Sequence, residues 1–170
     1  MNTKSVLIPL VLLAAALMSF SAPKSVASPL EQGTLETLTI NPSAFIPKTD
    51  DVDHNNYGMM LEVLSGTGGF TAPVYVPPGS YIKSVQLLAE DSDPIDNICI
   101  SLHLGKPAQF DAVEMGVVCT SGSSGFQTVN TWAINPQYVS KHYIPYFWLD
   151  LPASGDLTFY GVKIKYLPPA

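Results

Sequence analysis

From residue 37 onward, apolar side chains recur at every second position. Leu38 and Ile40 share one parity, as do Met59, Leu61 and Val63, and then Val85, Leu87 and Ala89. The clearest run is Ile98, Ile100, Leu102 and Leu104, which alternates with Cys99, Ser101 and His103. A period of two places one set of side chains on the core side of a strand and the other on the outer side. The pattern predicts strands over 37–40, 57–64, 70–76, 83–90, 98–104, 113–120, 126–134 and 142–151. A last strand has Tyr160, Val162, Ile164 and Tyr166 inward and Lys163 and Lys165 outward. The 142–151 segment is apolar at both parities and is expected to lie centrally, with Pro145 requiring a bulge or a local edge. Turn chemistry separates the runs: Gly66–Gly69, Pro77-Pro78-Gly79-Ser80, Asp91–Asn97, Ser121–Gly125, Asn135-Pro136 and Pro152–Asp156. No window after residue 27 combines a 3.6-residue apolar period with helix caps. About nine short, evenly spaced strands predict an all-β fold, an antiparallel β-sandwich of the jelly-roll kind, with a closed barrel as the alternative.

The N-terminal segment follows another rule. Lys4 precedes an apolar run, Val6–Met18, and Ser25-Val26-Ala27 ends it with a small-x-small pattern. That is the layout of a cleaved signal peptide over 1–27, leaving a single domain over 28–170. The run is shorter than the roughly 20 residues a membrane-spanning helix needs, and no later stretch qualifies. The expectation is therefore a secreted or periplasmic protein with no membrane span in the mature chain. Charge narrows the partners. The 170 residues carry 14 acids and 8 lysines, with no arginine, for a net −6 that falls to −8 after cleavage. Phosphate backbones are held by clusters of cations, so nucleic acid is an unsuitable partner.

Four groups of residues could carry chemistry. Cys99 and Cys119 are the two cysteines of an exported chain, and pairing is the expectation in an oxidising compartment. The parity of Ile98, Ile100 and Val118 sends both sulfurs to the outer face, although Met115 and Val117 argue the opposite for Cys119. Two acidic turns, Asp51 and Asp53 with neighbouring asparagines, and Asp91, Asp93 and Asp96 with Asn97, could supply calcium oxygens if they meet at one end of the sandwich. The same residues are the ordinary material of solvated turns, and the spacing is not that of an EF-hand. No other cofactor is expected. Aromatic residues crowd the last third of the chain. Tyr146 and Trp148 share a face, and with Trp132 they form a candidate ligand face, against the alternative that such rings fill the core. The three histidines form no metal-binding pair, no Gly-x-Ser-x-Gly is present, and nothing selects a pair of carboxylates for hydrolysis.

The stretches Phe70–Val85 (FTAPVYVPPGSYIKSV), Gln86–Asp93 (QLLAEDSD), Ser124–Val129 (SGFQTV) and Leu157–Tyr166 (LTFYGVKIKY) resemble a family of uncharacterised secreted bacterial β-sandwich proteins. The likeness extends over most of 38–166. It implies an exported all-β domain and carries no catalytic residues with it. The combined expectation is a non-catalytic binding or recognition module, with an extracellular glycan or a protein as partner. A surface or matrix protein that self-associates is the alternative, and a small secreted hydrolase comes third.

Overall fold

The computed structural model describes residues 33–107, 111–122 and 125–169. The predicted signal segment, 1–27, lies outside the described residues. Eleven strands follow in order: β1 (Glu36–Ile40), β2 (Ile46–Pro47), β3 (Asp53–Asn56), β4 (Leu61–Ser65), β5 (Gly69–Pro73), β6 (Tyr81–Asp91), β7 (Cys99–Gly105), β8 (Ala112–Cys119), β9 (Phe126–Thr131), β10 (Ile144–Asp150) and β11 (Leu157–Leu167). They form two antiparallel sheets. The six-stranded sheet runs β3-β4-β11-β6-β9, with β1 also paired to β11. The five-stranded sheet runs β2-β5-β10-β7-β8. Successive strands cross repeatedly from one sheet to the other, so each sheet is assembled from segments distant in sequence.

The core is what the alternation requires. Val85, Leu87 and Ala89 of β6 face Ile100, Leu102 and Leu104 of β7 across the interior, with Phe147 and Leu149 of β10 and Val162 and Ile164 of β11, all buried. Phe70, Phe147 and Phe159 are its largest fully buried side chains. Each such ring contributes about 1.5–3 kcal/mol by leaving water. As expected, β10 is central, between β5 and β7. Pro145 sits just beyond the point where the β5 ladder ends, at Pro73 opposite Tyr146, and its carbonyl accepts the Val74 N–H at 3.0 Å.

Three local differences from the periodicity have physical causes. The 57–64 run is split. Gly58 at φ +82° and a Tyr57 N–H to Met60 C=O bond of 3.0 Å make a hairpin turn. Strand β4 therefore starts at Leu61, and Met59 is exposed rather than aligned with Leu61 and Val63. The polar segment Asp53–Asn56 is a strand, β3, because it pairs with β4 at the margin of the sheet. Backbone pairing there needs no apolar alternation. In β11 the register shifts between Phe159 and Gly161, with Gly161 at φ +132°. The extra residue reverses parity, so Phe159 and Leu157 are buried while Tyr160 is not core but half-buried.

Candidate ligand-binding faces

Tyr146 and Trp148 share a face, as their parity predicted, and the structure makes it the outer side of the five-stranded sheet rather than the core. Register places Tyr146 opposite His103, and His103 opposite Glu114. Trp148 lies opposite Ser101 on one side and Thr71 on the other. The His103 and Tyr146 rings stack, with centroids 5.3 Å apart and planes at 18°. Ser101 Oγ lies 2.8 Å from His103 Nε2. The Lys48 ammonium sits 3.9 Å from the Trp148 ring centroid. Burial pushes the His103 imidazole below its ordinary value, and the Glu114 carboxylate pulls it the other way. Gly105 makes room for this stripe, since a Cβ there would lie 3.2 Å from Tyr146 Cε1. These half-buried rings already have partners: His103 covers Tyr146 and Lys48 covers Trp148. A stacking ligand would have to displace them.

Trp132 is not on that face. It follows the last residue of β9, whose Thr131 pairs with Val85 of β6, and so belongs to the six-stranded sheet on the other side of the sandwich. Its indole is 62% exposed. It borders an open groove of about 520 Å3 lined by Gly33, Leu35, Lys83, Trp132, Gln137 and Leu167. Lys83 Nζ donates to Gln137 Oε1 at 3.3 Å and lies 5.5 Å from the Tyr81 ring. The Tyr81 and Tyr138 rings are 5.2 Å apart, and both are exposed. Lys165 Nζ is 5.9 Å from the Trp132 centroid. Open rings beside a linked amide and ammonium can stack on an apolar ligand surface while exchanging hydrogen bonds with its polar rim. Periodicity alone singled out neither Lys83 nor Gln137. Gln137 lies in the segment after β9, and only folding brings it to the start of β6.

Of the three predicted face residues, the structure thus joins Tyr146 with Trp148 and separates Trp132. At the far end of the six-stranded sheet a second ring pair, Phe126 and Tyr160, lies with centroids 5.6 Å apart. Tyr160 Oη donates to Glu90 Oε2 at 2.9 Å, which raises the phenol's pKa.

Cys99 and Cys119 form the expected disulfide. They are direct partners in the β7–β8 register, with Cα atoms 4.1 Å apart. The two acidic turns lie at one end of the sandwich. The Asp51 carbonyl abuts Gly66, Leu151 N–H donates to the Gly68 carbonyl, and Ser154 Oγ donates to Asp93 Oδ2 at 2.8 Å. Asp93 Oδ1 accepts the N–H groups of Ile95 and Asp96, at 2.8 and 2.9 Å. Backbone bonds from Asp96 and Ile95, then the Ser154 hydroxyl, hold its carboxyl below the usual value. Asp91 is buried. Its Oδ1 accepts the Asp93 N–H at 3.1 Å, while Oδ2 has no hydrogen-bond partner among the described residues. Asp51, Asp53 and Asp96 are exposed. Among the described residues no three His, Cys, Asp or Glu side chains come together as a metal-ligand set.

No family model matches the chain, and no curated protein does. Solved structures do. A xylan-binding module, CBM15, matches with TM-score 0.50 at 7% identity, over 81% of this chain and 100% of that one. CBM29_1, a family 29 carbohydrate-binding module from Piromyces equi, gives TM-score 0.49 at 12% identity over 77% and 91% of the two chains. The C-terminal CBM6 of LamC, a marine laminarinase of Zobellia galactanivorans, gives 0.45 at 15% identity over 76% and 98%. The shared feature is the fold. This chain is a β-sandwich of the kind found in CBM15. At 7% identity that correspondence carries no residue from one protein to the other.

Proposed function

We propose that the protein is an exported, non-catalytic glycan-binding module whose sugar site is the Trp132 groove. The observation that carries this reading is a broadly exposed indole on an open groove, next to the Lys83–Gln137 pair and the Tyr81 and Tyr138 rings. A pyranose has one face of C–H groups and a rim of hydroxyls. The indole suits the face, and an amide beside an ammonium suits the rim. The sandwich shared with a xylan-binding module agrees with this reading. The signal-like residues 1–27 and the Cys99–Cys119 bridge support export, since disulfides persist in oxidising compartments. No helix among the described residues is long and apolar enough to cross a membrane.

Three of the sheet edges, at β2, β3 and β8, are poorly suited to assembly by strand pairing, while the six-residue β9 ends the six-stranded sheet. β2 has two residues and β3 four. β8 is flanked by the chain leaving β9, where Asn135 N–H donates to the Met115 carbonyl at 2.7 Å. Short or covered edges are poor templates for open-ended pairing.

Glycan-array screening of the exported chain, followed by calorimetry on the best ligand, tests the proposal. Trp132→Ala is expected to weaken binding at least about tenfold, as loss of a central aromatic anchor does. Trp148→Ala is expected to leave it nearly unchanged. The reading fails if no glycan binds, or if Trp148→Ala abolishes binding while Trp132→Ala does not.

A further inference from the structure

The charge around the groove goes further than its shape. We propose that it selects an anionic glycan, one whose pyranose ring lies on Trp132 and whose carboxylate or sulfate group meets the Lys83 and Lys165 ammoniums. The inference rests on the sugar-binding reading of the same groove and adds its ligand class.

Six lysines remain after residue 27, against 14 acids. Three of the six, Lys83, Lys163 and Lys165, project from neighbouring strands on the outer side of one sheet. In the β11–β6 register Lys163 lies opposite Gln86 and Lys165 opposite Ser84, and Lys83 occupies the adjoining irregularity. Lys83 touches an amide oxygen and a ring, and Lys165 touches the Trp132 ring. Neither has a carboxylate partner among the described residues. The carboxylates of this outer face, Glu90 and Glu62, are engaged at its other end by Tyr160 and Thr158. Glu90 pairs with Phe126, six residues before Trp132, which is about 20 Å along an extended strand. That exceeds the roughly 8 Å screening length at physiological salt, so those two acids are screened from the groove, and Glu36, the carboxylate next to the groove's Leu35, accepts the Tyr166 hydroxyl. An acidic molecule that sets two ammoniums, Lys83 and Lys165, beside one exposed indole, with no carboxylate partner for either among the described residues, is complementary to an anionic ligand, and least so to a second acidic surface.

The row next to Trp132 fits the same ligand. Gln86 Nε2 donates to Asn130 Oδ1 at 2.8 Å, with Lys163 in register beside them. A second sugar unit running along the sheet would meet amide donors and acceptors and a third ammonium there.

Calorimetry and tryptophan fluorescence with three oligosaccharides of equal length decide the matter: an oligouronate, a sulfated oligosaccharide and a neutral xylo-oligosaccharide. At low salt at least one anionic ligand is expected to bind fivefold or more tighter than the neutral one, and the gap is expected to narrow at high salt, where exposed charges are screened. The two anionic arms separate a carboxylate source from a sulfate source. Lys165→Gln is expected to cut the anionic preference about two- to fivefold, the range for an exposed ion pair. Trp132→Ala, checked for an unchanged melting curve, is expected to lose binding of the anionic ligand too. Equal or tighter binding of the neutral oligosaccharide overturns the inference and leaves the glycan-binding reading standing. Anionic binding that survives Trp132→Ala is non-specific charge attraction and also overturns it. Absence of binding by all three removes both.

Discussion

At the scale of single residues, two side chains have environments their sequence neighbours did not announce. His103 alternates with core residues and would pass for a plain outward histidine. In the folded chain it is clamped between Tyr146, Trp148 and Ser101, and burial depresses its pKa from 6.5. A depressed histidine binds fewer protons folded than unfolded, so stability rises with pH across the titration. Its contribution is complete above about pH 6.5 and is lost as pH falls toward the folded value. The melting temperature is therefore expected to drop between pH 7 and pH 5, and His103→Gln is expected to flatten that part of the profile. Identical slopes in the two proteins would discard this account. Trp132 is the converse case. Aromatic character and nearness in sequence group it with Tyr146 and Trp148, yet its exposure sets it apart.

At the scale of elements, the bulge in β11 decides what the six-stranded sheet displays. A strict period would send Tyr160 inward with Val162 and Ile164. The register shift at Gly161 buries Phe159 instead and frees Tyr160 to reach Glu90 and Phe126. Glycine is required there by its backbone: φ is +132°, and a Cβ would stand 3.0 Å from the Ile40 carbonyl oxygen. Gly161→Ala is expected to cost about 1–3 kcal/mol, the range for a residue forced into a sparsely populated conformation. Urea denaturation measures it directly. An unchanged midpoint would mean that β11 can shed its bulge and re-register without penalty.

At the scale of the whole molecule, stability rests on one continuous core between the sheets, with the disulfide added on the outside. Cys99–Cys119 closes a loop between adjacent strands, a sequence separation of 20, and is expected to contribute about 3 kcal/mol by restricting the unfolded chain. The replacement Cys99→Ala with Cys119→Ala is expected to lower the denaturation midpoint and still give a folded protein, because Ile100, Leu102 and Val118 keep β7 and β8 on the core. Circular dichroism under denaturant would show this, and a chain that no longer folds would make the bridge essential. The sequence alone determined the all-β class, most strand positions, the shared face of Tyr146 and Trp148, and the two cysteines that pair. These follow from a period of two and from turn residues, which are local properties of the chain. Only the tertiary structure decided that Trp132 lies on the opposite side of the sandwich from Trp148, and that β3 is a strand. It alone brought Lys83 and Gln137 into one groove with Trp132, and Lys165 against the Trp132 ring. Those facts depend on which strands become neighbours, and strand order in a sandwich is set by packing between segments far apart in sequence, which no local period records.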